Sequence, residues 1–117
     1  LGAEGRRNDQ FLSSLEILFK YTPNVHLILW TPLERMEFIL DNWKENLPLG
    51  TILSLLPLFG GAQGVVTHGL EFSLDGHDLL PGKTPSGVSN LVISNPVSVT
   101  LKKGQLLLVA QHTTNYS

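Results

Sequence analysis

Gly64-Val65-Val66-Thr67-His68-Gly69-Leu70-Glu71-Phe72-Ser73-Leu74-Asp75-Gly76 is the stretch on which the fold turns. It reads as a strand from Gly64 to Thr67, a second from Glu71 to Ser73, and a turn at Asp75-Gly76. The same pattern extends in both directions. Upstream, Val25 to Trp30 is an apolar run of strand length, and Arg35 to Asp41 alternates Met36, Phe38 and Leu40 on one face against Glu37 on the other. Thr51 to Leu58 is a further strand. Downstream come Gly87 to Ile93, Val97 to Lys102 and Gln105 to Gln111, in which the aliphatic run Leu106 to Val109 predicts a core strand. The breaks fall at Asn42 to Gly50, Gly60-Gly61, Pro81-Gly82, Asn95-Pro96 and Lys103-Gly104. Short strands separated by turns at intervals of about ten residues predict a mainly β chain, an antiparallel β-sandwich or small barrel.

The front of the chain is different. From Asp9 to Tyr21 a helix is predicted with Phe11, Leu12, Leu15, Leu18 and Phe19 on one face, and Ser13, Glu16 and Lys20 elsewhere. Asn8 or Asp9 serves as its cap, and Thr22-Pro23-Asn24 ends it. This helix and the strand after it do not belong naturally to a sandwich. They read as the last α and β units of a preceding α/β sheet, with the boundary near Thr31-Pro32. The chain is thereby divided into a remnant over residues 1–32 and a β domain over residues 33–117.

Composition narrows the function classes. At 117 residues, with 42% hydrophobic and 15% charged residues, the chain is large enough to bury a core and is not of disordered type. A net charge of −2 gives no electrostatic reason to expect nucleic acid or an anionic membrane as partner. The longest apolar stretch, Ile52 to Phe59, contains Ser54 and Pro57 and falls far short of the roughly 20 residues of a membrane helix. The absence of cysteine excludes a disulfide framework, a thiolate zinc site and a thiol nucleophile, and it fits a cytoplasmic protein. No signal leader opens the chain, and a first residue of Leu1 in place of Met points to truncation or processing.

Several patterns carry little chemistry. Gly60-Gly61-Ala62-Gln63-Gly64 leads into a strand and lacks the Lys-Ser/Thr ending of a phosphate loop, so it reads as a tight turn. His68, His77 and His112 with Asp75 and Asp78 match no standard metal spacing, and Asp75-Gly76-His77-Asp78 reads as a solvated hairpin loop. Lys102-Lys103 reads as a solvent-facing turn, and the tail from His112 to Ser117 reads as a frayed end.

Three pieces taken together, Gly69-Leu70-Glu71-Phe72-Ser73-Leu74, Gly87-Val88-Ser89-Asn90 and Lys103-Gly104-Gln105-Leu106-Leu107-Leu108-Val109, resemble in order and spacing the carboxy-terminal domain of thiamine pyrophosphokinases. Gly5, Arg6, Arg7, Asn8, Asp9 and Gln10 are similar to the Gly-Gly-Arg-x-Asp-His/Gln motif that ends the family's nucleotide-binding α/β domain. Arg6 replaces the second glycine, Leu91 replaces an acidic residue after Ser-Asn, and the family's upstream Asp-x-Asp cluster has no counterpart. The resemblance implies transfer of pyrophosphate from ATP to thiamine, giving thiamine diphosphate and AMP, with Mg2+ accompanying ATP. Such a reaction needs carboxylates for the metal and cations for the phosphates. The resemblance assigns Asp9, Arg7 and Gln10 to the catalytic group, with Asp9 on the metal.

Thiamine is a flat cation, so its pocket calls for an aromatic face and a few placed polar groups. The resemblance makes Phe72 the stacking residue. It has Ser89 and Asn90 bond the pyrimidine edge or hold the pocket loop, and it brings in Thr67 and Leu70 as further lining. It also implies a homodimer with the site between subunits. Taken without the resemblance, Asp9 reads as a helix cap, Phe72 as a core residue of an alternating strand, and Ser89-Asn90 as turn formers. The alternative function is a non-catalytic β-sandwich that binds a ligand or mediates dimerisation.

Overall fold

The computed structural model describes residues 2–83 and 89–112, with side chains described from Asp9 onward. Helix α1 spans Gly2–Tyr21, and ten strands follow: β1 Leu29–Trp30, β2 Glu34–Ile39, β3 Asn42–Glu45, β4 Ile52–Leu56, β5 Ala62–His68, β6 Asp75–Leu79, β7 Asn90–Leu91, β8 Val97–Thr100, β9 Lys103–Gly104 and β10 Leu106–Gln111. A short 3-10 turn, Leu58–Gly60, joins β4 to β5. The strands form two antiparallel sheets, one in the order β1-β2-β10-β4-β7 and the other in the order β3-β8-β5-β6, with β9 also pairing with β5. The mainly β, antiparallel sandwich expected from the turn spacing is the observed architecture.

β10 lies at the centre of the first sheet, between β2 and β4, with Leu107 opposite both Phe38 and Leu56. Leu106, Leu108 and Ala110 point into the sandwich with Leu53, Leu55, Val97 and Val99, whereas Leu107 faces α1 with Met36, Phe38, Leu15 and Leu18. Both faces of this strand are covered, so it reads as a continuous apolar run without polar alternation. The helix adds Phe19, whose ring meets Phe38 edge-on at 5.3 Å and stacks on Phe59 at 4.3 Å.

Several expectations need correction. The helix begins at Gly2, so Asp9 lies well inside it and is not its cap; Phe11 and Leu12 are exposed, which narrows the stripe to buried Leu15 and Leu18 with partly buried Phe19. The strand expected over Val25 to Trp30 contracts to β1. Asn42 to Gly50 is not all turn, because β3 pairs with β8 and buries Trp43. Asp75-Gly76-His77-Asp78 is not a hairpin loop but most of β6, an exposed edge strand joined to β5 through register shifts. Lys103-Gly104 forms β9.

Glu71 to Ser73 forms no strand; Leu70 makes an isolated bridge to Val92. Of the strand expected over Gly87 to Ile93, Gly87 and Val88 lie outside the described residues and β7 is two residues long. His112 is not frayed: its backbone N–H donates to Leu33 O at 2.9 Å and its ring stacks on Trp30.

Glu37 occupies the face opposite Met36 and Phe38, as its alternation requires, yet that face is the sandwich interior and Glu37 is 2% exposed. A buried carboxylate needs partners. His26 Nε2 stands 2.9 Å from Glu37 Oε1 and Arg35 Nε 3.9 Å from Oε2. Arg35 also pairs with Glu45, and its guanidinium lies between the rings of Trp30 and Trp43. Glu37 Oε2 makes no hydrogen bond among the described residues, so the distant Arg35 guanidinium is its nearest charge partner.

Candidate functional site

Residues 69–74 leave the second sheet and run beside residues 90–94, which begin with β7 of the first. Gly69 O accepts from Ile93 N–H at 2.8 Å, and Glu71 N–H donates to Leu91 O at 2.9 Å. Gly69 has φ +86, and a Cβ there would stand 2.5 Å from Ser94 O, so the position admits only glycine. The next rung comes from a side chain. Asn90 Oδ1 accepts from Phe72 N–H at 3.0 Å while Asn90 Nδ2 donates to Phe72 O at 2.7 Å. A carboxamide sets a carbonyl acceptor beside an N–H donor at the spacing of a peptide group, so it can take the place of a strand residue. This is why Glu71 to Ser73 is held in place without being a strand. The substitution also projects the Phe72 ring outward: it is 69% exposed, so Phe72 is not a core residue.

Ser89 precedes the clamp with φ +59, and its N–H donates to Ser54 Oγ of β4 at 2.8 Å. Asn90 itself pairs with Leu53, which ties the clamp to the first sheet. Phe72, Ser89 and Asn90 are thus brought together at one end of the sandwich. Leu70 and Thr67 lie behind them. Leu70 is 3% exposed within the main core, so the structure places it there and not on a surface. Thr67 is 2% exposed, and its Oγ1 already accepts from Leu74 N–H at 2.8 Å. Beside them an open hollow of about 440 Å³ is bordered by His68, Gly69, Ser73 and Asp75.

Asp9 and Gln10 are exposed on α1, in a different part of the fold, and Gln10 contributes its carbonyl to Ser14 Oγ at 2.9 Å. Arg7 lies on the same helix, and its side chain is outside the described ones. Among the described residues no group of three or more His, Asp or Glu side chains converges to hold a metal ion. Asp75 and Asp78 are engaged in their own strand pair: Asp75 N–H donates to His77 Nδ1, and Gly64 N–H to Asp78 Oδ1. Within the described residues no helix is long and apolar enough to cross a membrane.

Sequence reasoning missed two residues that the fold makes conspicuous. Phe59 adopts the left-handed region at φ +55 with its ring half exposed, and Gln105 is buried between β9 and β10. The Gly60-Gly61 pair beside Phe59 was the available signal. A single glutamine before a leucine run carries none.

The chain was compared with known proteins. A family model described as "Thiamin pyrophosphokinase, vitamin B1 binding domain" matches residues 40–106. Thiamine pyrophosphokinase from Bacillus subtilis is similar in structure, with a TM-score of 0.80 at 18% identity, over 91% of this chain and 50% of that one. The enzyme from Geobacillus thermodenitrificans gives 0.79 at 15% identity, over 92% and 50%. That from Candida albicans gives 0.77 at 13% identity, over 90% and 40%. At such identities the likeness is one of fold, and the chain spans half or less of the length of these three structures. A search of curated proteins finds no match.

Proposed function

Because the chain belongs to the thiamin pyrophosphokinase family through its vitamin B1 binding domain, we propose that it forms the thiamine-holding part of an enzyme that transfers pyrophosphate from ATP to thiamine, yielding thiamine diphosphate and AMP. The observation that carries this reading is the Phe72–Asn90 clamp. It anchors the main chain of an exposed aromatic residue by two hydrogen bonds. A thiazolium or pyrimidine ring gains from stacking on such a face, and the positive charge gains further from the ring's quadrupole. In this reading Asn90 positions Phe72 and keeps one amide hydrogen for the ligand. Ser89 offers its hydroxyl beside it, while Leu70 and Thr67 support the pocket from within.

The remaining roles are part of the same proposal. Residues 1–32 belong with a catalytic α/β domain and residues 33–117 with the thiamine domain. Asp9, with Arg7 and Gln10, faces the phosphates of ATP from helix α1, and the enzyme is a cytoplasmic homodimer that builds its site between subunits. Mg2+ would neutralise the phosphate charge during transfer. In this proposal the ion arrives with ATP, and Asp9 would offer it one carboxylate. The 117-residue chain alone is expected to form no thiamine diphosphate from ATP. Product formation measured with the purified chain would overturn that expectation.

Thiamine titration by calorimetry tests the pocket. The chain should bind thiamine, and Phe72→Ala should weaken binding at least about fivefold, the loss of one ring contact worth roughly 1 kcal/mol. Unchanged affinity in Phe72→Ala would remove Phe72 from the site.

A further inference from the structure

Ser54 is the one polar residue of β4, which reads Ile52-Leu53-Ser54-Leu55-Leu56. Leu53 and Leu55 are buried in the sandwich, so alternation puts the Ser54 side chain on the opposite, half-buried face. The strand is paired on both sides. Ser54 stands opposite Val109 of β10, and Leu53 stands opposite Ala110 and Asn90. A side chain carried by a strand held on both edges has a well-defined place.

The antiparallel register that sets Leu53 opposite Asn90 carries the next rung from Ser54 to Ser89. There the backbone ladder stops, because β7 begins at Asn90. Ser89 N–H donates instead to the side chain, Ser54 Oγ, at 2.8 Å across 35 positions of sequence. Ser89 has φ +59, a conformation disfavoured for a residue with a Cβ, so it persists only where its surroundings hold it. The hold comes from both ends. φ is the rotation between the N–H of a residue and the peptide that follows it. Ser54 anchors the N–H, and the following residue, Asn90, is anchored through Leu53 and Phe72. With both ends fixed, the Cβ of Ser89 is fixed too, and the exposed Ser89 stays at the same end of the sandwich as Phe72.

We propose that Ser54 is a positioning residue for thiamine: by accepting from Ser89 N–H it keeps the Ser89 hydroxyl where the ligand meets it, and it touches the ligand nowhere itself. This rests on the reading of Phe72, Ser89 and Asn90 as the thiamine side of the protein. The chemistry required at residue 54 is narrow: a hydroxyl acceptor on a short side chain, which serine and threonine supply and alanine does not.

Two measurements on the 117-residue chain test this, thiamine titration by calorimetry and backbone amide exchange read by magnetic resonance. In Ser54→Ala the Ser89 amide should exchange at least about fivefold faster and thiamine should bind at least about fivefold more weakly, the loss of one hydrogen bond. The amides of Leu107 to Ala110 should keep their protection, which shows the sheet intact. Ser54→Thr should restore both values. Ser89→Ala should also weaken binding, and Ser54→Ala added to it should weaken binding no further, because the effect of Ser54 passes through the Ser89 hydroxyl. Faster exchange and weaker binding that multiply with Ser89→Ala would make Ser54 a structural residue only and overturn the proposal. So would unchanged exchange at Ser89 in Ser54→Ala, unchanged affinity there, or failure of Ser54→Thr to restore either value. If the unaltered chain binds no thiamine, the thiamine reading itself falls and this assignment with it, whereas binding that ignores Ser54→Ala removes Ser54 alone.

Discussion

Asn90 and Gln105 both hold the backbone of a partly exposed phenylalanine, Phe72 in one case and Phe59 in the other, yet they occupy opposite situations. Asn90 is half-buried, and its amide closes a ladder: it accepts from Phe72 N–H and donates to Phe72 O. Gln105 is buried and makes one bond, to Phe59 O, which leaves an acceptor unmet. The first amide completes the fold around an aromatic residue, and the second holds its phenylalanine by one bond while its own oxygen stays buried without a partner among the described residues. Buried polar groups are normally satisfied, so the difference separates a fully bonded amide from one that keeps an unmade bond in the folded state.

The largest expected effect comes from the close backbone approach at Gly104. Gly104→Ala would place a Cβ 2.2 Å from Gly61 O at φ +94, against backbone that cannot swing aside. Overpacking and the left-handed penalty together should cost about 3 kcal/mol of stability in denaturant unfolding. Gly82→Ala is the control: φ is +70 but nothing lies within 4 Å, so about 1 kcal/mol is expected. Equal losses at the two positions would mean that the close approach at Gly104 is not what shapes this region.

Next comes the clamp. Asn90→Ala removes the two bonds to Phe72 and the acceptor that Leu91 N–H uses at 3.0 Å. Water reaches this surface and replaces part of what is lost, so the expected cost is about 2 kcal/mol. Asn90→Asp sharpens the comparison, because a carboxylate can still accept from Phe72 N–H but cannot donate to Phe72 O. It should fall between Asn90 and Asn90→Ala in melting temperature. A melting temperature equal to that of Asn90 would show the Nδ2 bond to be without weight.

What the sequence disclosed follows the same division. β10 was legible because a strand covered on both faces needs apolar residues throughout, and Leu106 to Val109 supplies them. β6 was not legible. Its Asp75, His77 and Asp78 are exposed and bury no apolar side chain against β5, so the residues that form it look like a turn. β3 was hidden by its polar neighbours, with Trp43 its only strong apolar signal. Glu71 to Ser73 has the composition of a strand, but Asn90 supplies its rung from a side chain 18 residues away, a contact that no local pattern encodes. Phe72, Ser89 and Asn90 could be grouped by resemblance, whereas the Asn90 clamp could not. Thr67 and Leu70 could be placed near them in the chain, but their burial depended on how the two sheets join. Gln105 was invisible because its significance is an unmade bond.

Gln105→Leu should be milder for stability than Asn90→Ala. It gives up the bond to Phe59 O, worth about 1 kcal/mol, but it also removes a buried unmet acceptor and adds apolar area. The net change in denaturant unfolding should lie within about 1 kcal/mol of zero. A loss as large as that of Asn90→Ala would show that Oε1 has a partner, and the contrast between the two amides would fail.

The smallest effect on stability belongs to Phe72→Ala. The ring is 69% exposed, its backbone bonds to Asn90 do not involve the side chain, and it buries little against the core. Removing it should change stability by less than about 0.5 kcal/mol, as for surface substitutions in general. An exposed aromatic ring on an anchored backbone costs the fold little to keep or to lose, so in the proposed function its use lies in what it contacts from solution. If unfolding instead shows a loss of 2 kcal/mol or more, the ring is packed against protein in solution, and Asn90 would then serve the fold alone and not a binding surface.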